Sequence, residues 1–131
     1  MMRLLLDTHI LLWTVYKPSA LKSNALVLLQ APLAEVYFST ASLWELTIKN
    51  SKYPGMFPPV AEMRKDFGSS GINEFVIASN VLPFLEKLPL FHKDPFDRLL
   101  IATAFVESMH LLTRDACFKQ YDPASNFVVS C

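Results

Sequence analysis

Four acidic residues occupy positions where the packing of a hydrophobic core does not by itself require a carboxylate. Asp7 ends an apolar run, Glu45 and Asp97 lie in helical segments, and Asp115 follows a second apolar run. Each also has a purely structural explanation, since a carboxylate can cap a helix, pair with Lys49 four residues on, or favour the helix dipole. If the four converge, their mutual repulsion requires a cation, and all-oxygen ligation is typical of Mg²⁺ or Mn²⁺.

Asp97 is the carboxylate least easily explained by structure alone. The segment that follows it, residues 99–106, is apolar almost all round and is therefore predicted to be buried on most faces. A buried carboxylate costs several kcal/mol unless it is paired or metal-bound. Arg98 is adjacent in sequence but points about 100° away around the helix, so it neutralises Asp97 poorly.

Other chemistries have less support in the sequence. The glycines form no phosphate-binding loop, and no G-x-S-x-G nucleophile turn is present. His9, His92 and His110 lack the spacing of a zinc site, and packing or surface roles are expected for them. His92 is left open, because it directly precedes Lys93 and Asp94 near the suspected site.

Length and composition predict a single domain over residues 1–131. Hydrophobic residues make up 52% and charged residues 18% of the chain, against about 25% charged in an average globular protein. Twelve basic and twelve acidic residues give no net charge, which excludes a polycation that coats nucleic acid. The low charged fraction predicts a lasting partner or a homodimer that covers apolar surface.

The cysteines and the start of the chain indicate the compartment. Cys117 and Cys131 have no metal-binding or redox spacing and are expected to be reduced thiols. The apolar start is interrupted by Asp7 and His9, and no small-residue cleavage site follows. No segment approaches the ~20 apolar residues of a membrane span. We therefore expect a soluble, cytoplasmic protein with no membrane partner.

Strands and helices alternate along the sequence. Strands are predicted over residues 3–6, 36–39, 75–77, 111–113 and, at the end, 127–129. Helices are predicted over residues 8–16, 21–30, 41–50, 60–67, 79–88, 95–109 and 115–121, the sixth of them capped by Asp94. This alternation predicts a three-layer α/β sandwich with a short, mainly parallel sheet flanked by helices. Sites in such sheets form beyond the carboxyl ends of strands, where Asp7 and Asp115 lie.

Four segments resemble the successive motifs of the PIN domain. They are LLLDTHILLW (4–13), SLWELTIK (42–49), LPLFHKDPFDRLLIATA (88–104) and LLTRDACFKQY (111–121). The order is the expected one and covers nearly the whole chain. Within the family, the sequence is most similar to the toxin ribonucleases of type II toxin–antitoxin pairs, the VapC group.

The resemblance implies an Mg²⁺-dependent endoribonuclease, with Mn²⁺ as a substitute ion, that hydrolyses RNA through metal-activated water. It implies Asp7, Asp97 and Asp115 as metal ligands, and Glu45 as a further ligand or the base that orients water. It also implies a cognate antitoxin whose peptide lies along the active-site groove, and it is compatible with a homodimer.

Basic residues near the motifs are candidates for contacts with substrate phosphates. They are Lys49, Lys93, Arg98 and Arg114. Neutralisation of nearby acids is at least as good an explanation for each.

Two other functions remain open at this point. One is a PIN-like interaction module without catalysis, in which the acids are capping residues. The other is a metal-dependent phosphatase or receiver-like domain. A phosphatase of the haloacid-dehalogenase type needs a second aspartate where His9 stands, and a receiver needs an acidic pair where Met2 and Arg3 stand.

Overall fold

The computed structural model describes residues 2–131, which form a five-stranded sheet with all strands parallel. The strand order is β3-β2-β1-β4-β5, so β1 is central. The strands are β1 (Met2–Leu6), β2 (Ala34–Ser39), β3 (Asn73–Phe75), β4 (His110–Thr113) and β5 (Val128–Ser130). The predicted α/β sandwich with a parallel sheet is confirmed.

Six α-helices connect the strands. They are α1 (Thr8–Tyr16), α2 (Ser23–Leu29), α3 (Thr40–Lys52), α4 (Val60–Ser69), α5 (Leu82–Lys87) and α6 (Pro95–Val106), with 3-10 turns at Pro18–Ala20, Ser79–Val81 and Ala116–Tyr121. The predicted cap of α6 is confirmed, since Asp94 caps it ahead of Pro95. At the start of α3, the Ser39 hydroxyl accepts the Ala41 N–H. Among residues 2–131, no helix has the length and apolar character needed to cross a bilayer.

The core lies on both faces of the sheet. Leu4, Leu5 and Leu6 of β1 have no solvent-exposed surface, which is expected of a central parallel strand covered on both sides. Even-numbered side chains of β1 pack with α1 and α4, whereas Leu5 packs with α6 and Phe118. The buried residues Leu4–Leu6 lead directly to Asp7 at the carboxyl end of β1, and Asp7 is buried as well.

Some element boundaries differ from the sequence predictions. β3 ends at Phe75 and does not extend over 75–77, and α2 begins at Ser23 instead of residue 21. α6 ends at Val106 and does not continue to Met109, because Ser108 adopts a left-handed conformation with φ of 55°. The Met109 N–H then donates to the Ala104 carbonyl at 2.9 Å, which closes the helix end as a Schellman motif does.

The strand order creates a crevice at one edge of the sheet. Chain connections leave β1 towards β2 on one side, while β4 lies on the other side and continues towards β5. Connections that diverge in this way leave space beyond the carboxyl ends of the two strands. The residues that follow β1 and β4 therefore face the same crevice.

Candidate active site

Asp7 lies at the carboxyl end of β1 and is only 4% exposed. Its Oδ1 accepts the Ile10 N–H at 2.8 Å and so caps α1, while its Oδ2 accepts the Thr113 hydroxyl at 2.5 Å. Burial raises the pKa of the Asp7 carboxyl above its ordinary value, and these two hydrogen bonds act in the opposite direction without cancelling it. Asp7 therefore both caps α1 and places a buried carboxylate at the end of β1.

Thr113 joins Asp7 to Asp115 across the two central strands. Its hydroxyl donates to Asp7 and accepts the Asp115 N–H at 3.0 Å. Asp115 begins the 3-10 turn after β4, where its Oδ1 accepts the Cys117 N–H at 2.8 Å. Its side chain is 42% exposed, so Asp115 is the carboxylate of the site that is most open to solvent.

Glu45 reaches the site from α3. Its Oε1 accepts the Thr8 hydroxyl at 2.7 Å, which links α3 to the residue directly after Asp7. Its Oε2 pairs with Lys49 at 2.9 Å, so the surface pairing weighed from the sequence is present. The pairing does not remove Glu45 from the site, because its side chain is only 12% exposed.

Asp97 lies in the first turn of α6, at the same crevice. Burial raises its pKa from 3.8 to about 7, and the charges of Asp94, Glu45 and Asp7 add to this effect, while His92 opposes it. Charges felt from three separate segments show that the carboxylates are close enough to repel one another. Asp97 therefore lies at the same crevice as Asp7 and Glu45, and a metal site formed by the four carboxylates stays a prediction.

His92 connects the remaining two carboxylates. Its Nε2 lies 3.0 Å from Asp97 Oδ2 and 2.9 Å from Asp115 Oδ2. Its Nδ1 accepts the backbone N–H of Asp94 at 3.1 Å. Proximity to Lys93 and Asp94 was the one signal for this residue in the sequence, because the contact with Asp115 spans 23 positions.

The site as a whole is a set of neighbouring groups that are joined by hydrogen bonds, by the peptide bond between Asp7 and Thr8, and by the ion-pair contact of His92 with Asp97. Its members, in order of contact, are Glu45 with Thr8, then Asp7, Thr113, Asp115, His92 and Asp97. They come from the ends of β1 and β4, from α3, and from the start of α6 with the loop before it. A cluster of carboxylates with hard oxygen donors fits a divalent cation such as Mg²⁺ or Mn²⁺.

The four basic candidates differ in how free their side chains are. Lys49 is paired with Glu45, and the Arg114 guanidinium lies 4.8 Å from the centroid of the Trp13 ring. Lys93 is exposed and forms no ion pair within residues 2–131. The guanidinium of Arg98 instead donates to backbone carbonyls of the loop after α5, which leaves it poorly placed for a phosphate.

Comparison with known sequences identifies the family. The sequence model of the PIN domain matches residues 4–123. The chain belongs to the PIN domain family. The resemblance drawn from its four motifs is thereby confirmed, and this PIN domain covers almost the whole chain. Its sequence matches no curated protein.

Solved structures share the fold of this PIN domain at low sequence identity. One is the VapBC2 complex of Rickettsia felis bound to a DNA fragment from its promoter, with a TM-score of 0.71, 18% identity and 98% coverage of both chains. Another is a toxin–antitoxin complex from Klebsiella pneumoniae, with a TM-score of 0.58, 20% identity, and coverage of 96% of this chain and 95% of that one. At such identities the likeness establishes the architecture.

An apolar groove lies beside the acidic site of the PIN domain. It has a volume of about 530 Å³ and is lined in part by Thr8, Trp13, Lys49 and Phe57. Thr8 and Lys49 both contact Glu45, so the groove opens directly next to the carboxylates. Trp44 is 57% exposed and packs edge-on against Phe96, with ring centroids 5.0 Å apart.

Proposed function

We propose that this PIN domain is a metal-dependent endoribonuclease that acts as the toxin of a type II toxin–antitoxin pair. The observation that supports it best is the convergence of Asp7, Glu45, Asp97 and Asp115 at one edge of the sheet. Capping explains Asp7 and Asp115 individually, but it does not explain Asp97, whose pKa is raised to about 7 by burial and, to a smaller extent, by neighbouring carboxylates. Such repulsion is costly unless a cation offsets it.

In the proposed mechanism, Asp7, Asp97 and Asp115 hold one or two Mg²⁺ ions, for which Mn²⁺ can substitute. When bound, the metal supplies activation of water and offsets the charge of the leaving oxygen. Glu45, whose Oε2 is paired with Lys49 at 2.9 Å, orients the attacking water and accepts its proton. Because water attacks phosphorus and the ribose 3′ oxygen leaves, the products carry 5′-phosphate and 3′-hydroxyl ends.

The proposed substrate is RNA, bound through a few local contacts. Lys93 and Arg114 are exposed beside the acidic site and are our candidates for phosphate contacts. Lys49 also belongs to this set when its pairing with Glu45 is exchanged for a phosphate. The absence of net charge on the chain agrees with local contacts and not with a long basic surface.

The proposed partners are an antitoxin and a second copy of the chain. The toxin–antitoxin complexes among the structural relatives support an antitoxin partner, and the groove beside Trp13 and Phe57 suits an amphipathic peptide. Such a peptide would carry an Arg or Lys that neutralises the acids. Exposed Leu82 and Phe105, on the packed helices α5 and α6, support a homodimer. We place the protein in the cytoplasm.

RNA cleavage with purified variants tests the proposal. Cleavage by the wild-type protein should require Mg²⁺ or Mn²⁺ and stop in EDTA, and Asp7→Asn should abolish it. Asp66→Asn is the matched control, since Asp66 lies on α4 and accepts the Tyr16 hydroxyl outside the site. Cleavage that persists in EDTA or in Asp7→Asn would refute the metal mechanism. A folded wild-type protein that cleaves no RNA with either ion would indicate an interaction module.

A further inference from the structure

His92 meets two of the proposed metal-binding carboxylates at once. Its Nε2 lies 2.9 Å from Asp115 and 3.0 Å from Asp97, and its side chain is 16% exposed. Two roles are compatible with these distances alone. The imidazole can bind the metal ion itself through an unprotonated nitrogen, or it can donate a hydrogen bond to the carboxylates that do.

The other nitrogen of the ring distinguishes these roles. His92 Nδ1 lies 3.1 Å from the backbone nitrogen of Asp94, and a backbone N–H can only donate. Nδ1 must therefore accept, so that the ring carries its proton on Nε2. A histidine that binds metal through one nitrogen donates from the other, usually to a carbonyl or carboxylate. Here that arrangement would set two N–H groups against each other.

The backbone of His92 is held by hydrogen bonds centred on Tyr121, and its ring is held by one aromatic contact. The Tyr121 hydroxyl accepts the backbone N–H of His92 at 2.9 Å and donates to the Pro89 carbonyl at 2.7 Å. Arg98 donates to the same hydroxyl at 3.2 Å. The ring also packs edge-on against Phe118, with centroids 5.6 Å apart. The loop before α6 is therefore anchored on both sides of His92.

His92 also belongs to a group of three possible metal ligands, which does not have the arrangement of a metal site. Donor atoms of His92, Asp115 and Cys117 lie within 4.8 Å of one another, as in a site for a softer ion. However, the Cys117 thiol donates to the Phe91 carbonyl at 3.2 Å, and the His92 nitrogen in the cluster is the protonated one. In this arrangement the thiol and the imidazole nitrogen both carry a proton, so neither is in the deprotonated form that binds a metal ion.

We propose that His92 is a positioning residue that donates its Nε2–H to Asp115, lies 3.0 Å from Asp97 and thereby orients both carboxylates for the divalent ion. This inference rests on the metal site of the proposed function. With one oxygen of each carboxylate held by the ring, less conformational freedom is lost when the ion binds. Removal of such an outer partner typically lowers metal affinity by about 10–100-fold.

Metal titrations with two substitutions at residue 92 separate the two roles. His92→Leu removes the donor, whereas His92→Gln keeps an amide N–H near the place of Nε2. We expect His92→Leu to weaken Mg²⁺ and Mn²⁺ binding, measured by calorimetry, by a similar factor of about 10–100. His92→Gln should recover most of this loss. His110→Gln is the matched control, because His110 lies at the opposite end of β4.

Other outcomes would overturn the inference. An imidazole ligand favours Mn²⁺ over Mg²⁺, so a much larger loss for Mn²⁺ in His92→Leu would identify His92 as a ligand. Unchanged or tighter binding in His92→Leu would exclude any positioning role. If the wild type binds neither ion, the proposed function fails together with this inference. If the wild type binds both ions and His92→Leu gives either of the first two results, the inference fails while the proposed function stands.

The tautomer of the ring gives a second readout that does not depend on metal affinity or activity. Long-range ¹H–¹⁵N correlation spectra of the imidazole distinguish a protonated Nε2 from a protonated Nδ1. We expect a protonated Nε2 in the metal-free protein and again with saturating Mg²⁺. A proton on Nδ1 in either state would contradict the donor role of His92.

Discussion

The substitution Asp97→Asn should stabilise the metal-free protein at pH 8. The Asp97 carboxyl has its pKa raised from 3.8 to about 7, because it is buried and close to Asp94, Glu45 and Asp7. A raised pKa means that the fold favours the protonated form. The stability contributed by that preference is complete below pH 3.8 and is lost as the pH rises through about 7. At pH 8 the wild type therefore bears an unfavourable charge.

The size of the effect follows from the pKa. The change from 3.8 to about 7 corresponds to about 4 kcal/mol, at about 1.4 kcal/mol for each pKa unit. The side chain is 21% exposed, so solvent screens part of this energy. The asparagine also gives up a favourable charge in the first turn of α6, worth about 0.3–1 kcal/mol. We expect a net gain of about 1–2 kcal/mol in the free energy of unfolding at pH 8.

Urea denaturation in EDTA at pH 5 and pH 8 measures this difference. The gain should be largest at pH 8 and clearly smaller at pH 5, where the folded wild-type carboxyl is still protonated although the unfolded one is already ionised. Mg²⁺ should stabilise the wild type more than the variant, since only binding to the folded state adds stability. An equal change at both pH values, or a loss at pH 8, would refute the argument from repulsion.

Asp122→Asn is a control of opposite sign. Burial alone would raise the pKa of Asp122, but the backbone N–H groups of Asn126, Phe127 and Val128, 2.7–2.8 Å from its oxygens, lower it overall. A lowered pKa gives stability that is present above the ordinary value and is lost as the pH falls below it. The substitution should therefore destabilise the protein by about 1–3 kcal/mol at pH 8. A gain there would show that the reasoning from local contacts is unsound.

Three further predictions concern Thr113, the proposed dimer and the proposed antitoxin. Thr113→Val removes the hydroxyl between two carboxylates and should cost about 1–3 kcal/mol in urea denaturation; an unchanged midpoint would contradict that role. Phe105→Glu should convert a dimer to a monomer in light scattering, whereas Leu33→Glu, which replaces another exposed apolar residue, should not. A wild-type monomer would refute the dimer. Mg²⁺ should weaken antitoxin-peptide binding in calorimetry more than monovalent salt of equal ionic strength; equal weakening would show that the peptide does not neutralise the acids.

Much of the site could be predicted from the sequence because two of its acids end apolar strands. Parallel strands that lie side by side bring their carboxyl ends to one edge, so Asp7 and Asp115 meet once the strand order is right. Asp97 was predictable from the apolar residues after it, which force the start of α6 to lie against the core. These arguments use only the period and length of apolar runs.

The remaining features depend on contacts between segments that are distant in sequence. The role of Arg98 is one example, since its guanidinium is used by carbonyls of residues 85, 88 and 89. The ends of β3 were also mispredicted, because a three-residue edge strand with exposed and half-buried side chains has little apolar pattern. The helix end at Ser108 carries no glycine that would signal a left-handed residue.

The pairing of β1 with β4 has a consequence for the synthesis of the chain. Leu4–Leu6 pair with residues 110–112, so β1 can pair with β4 only after more than a hundred further residues have been synthesised. Contacts this far apart form slowly, because a long loop must close first. A nascent chain that has not yet exposed Thr113 holds Asp7, Glu45 and Asp97 but lacks the strand and the hydroxyl that join them to Asp115. On the proposed function, a nascent chain without β4 would therefore lack a complete site, and cleavage would begin only after β4 has been synthesised and has paired with β1.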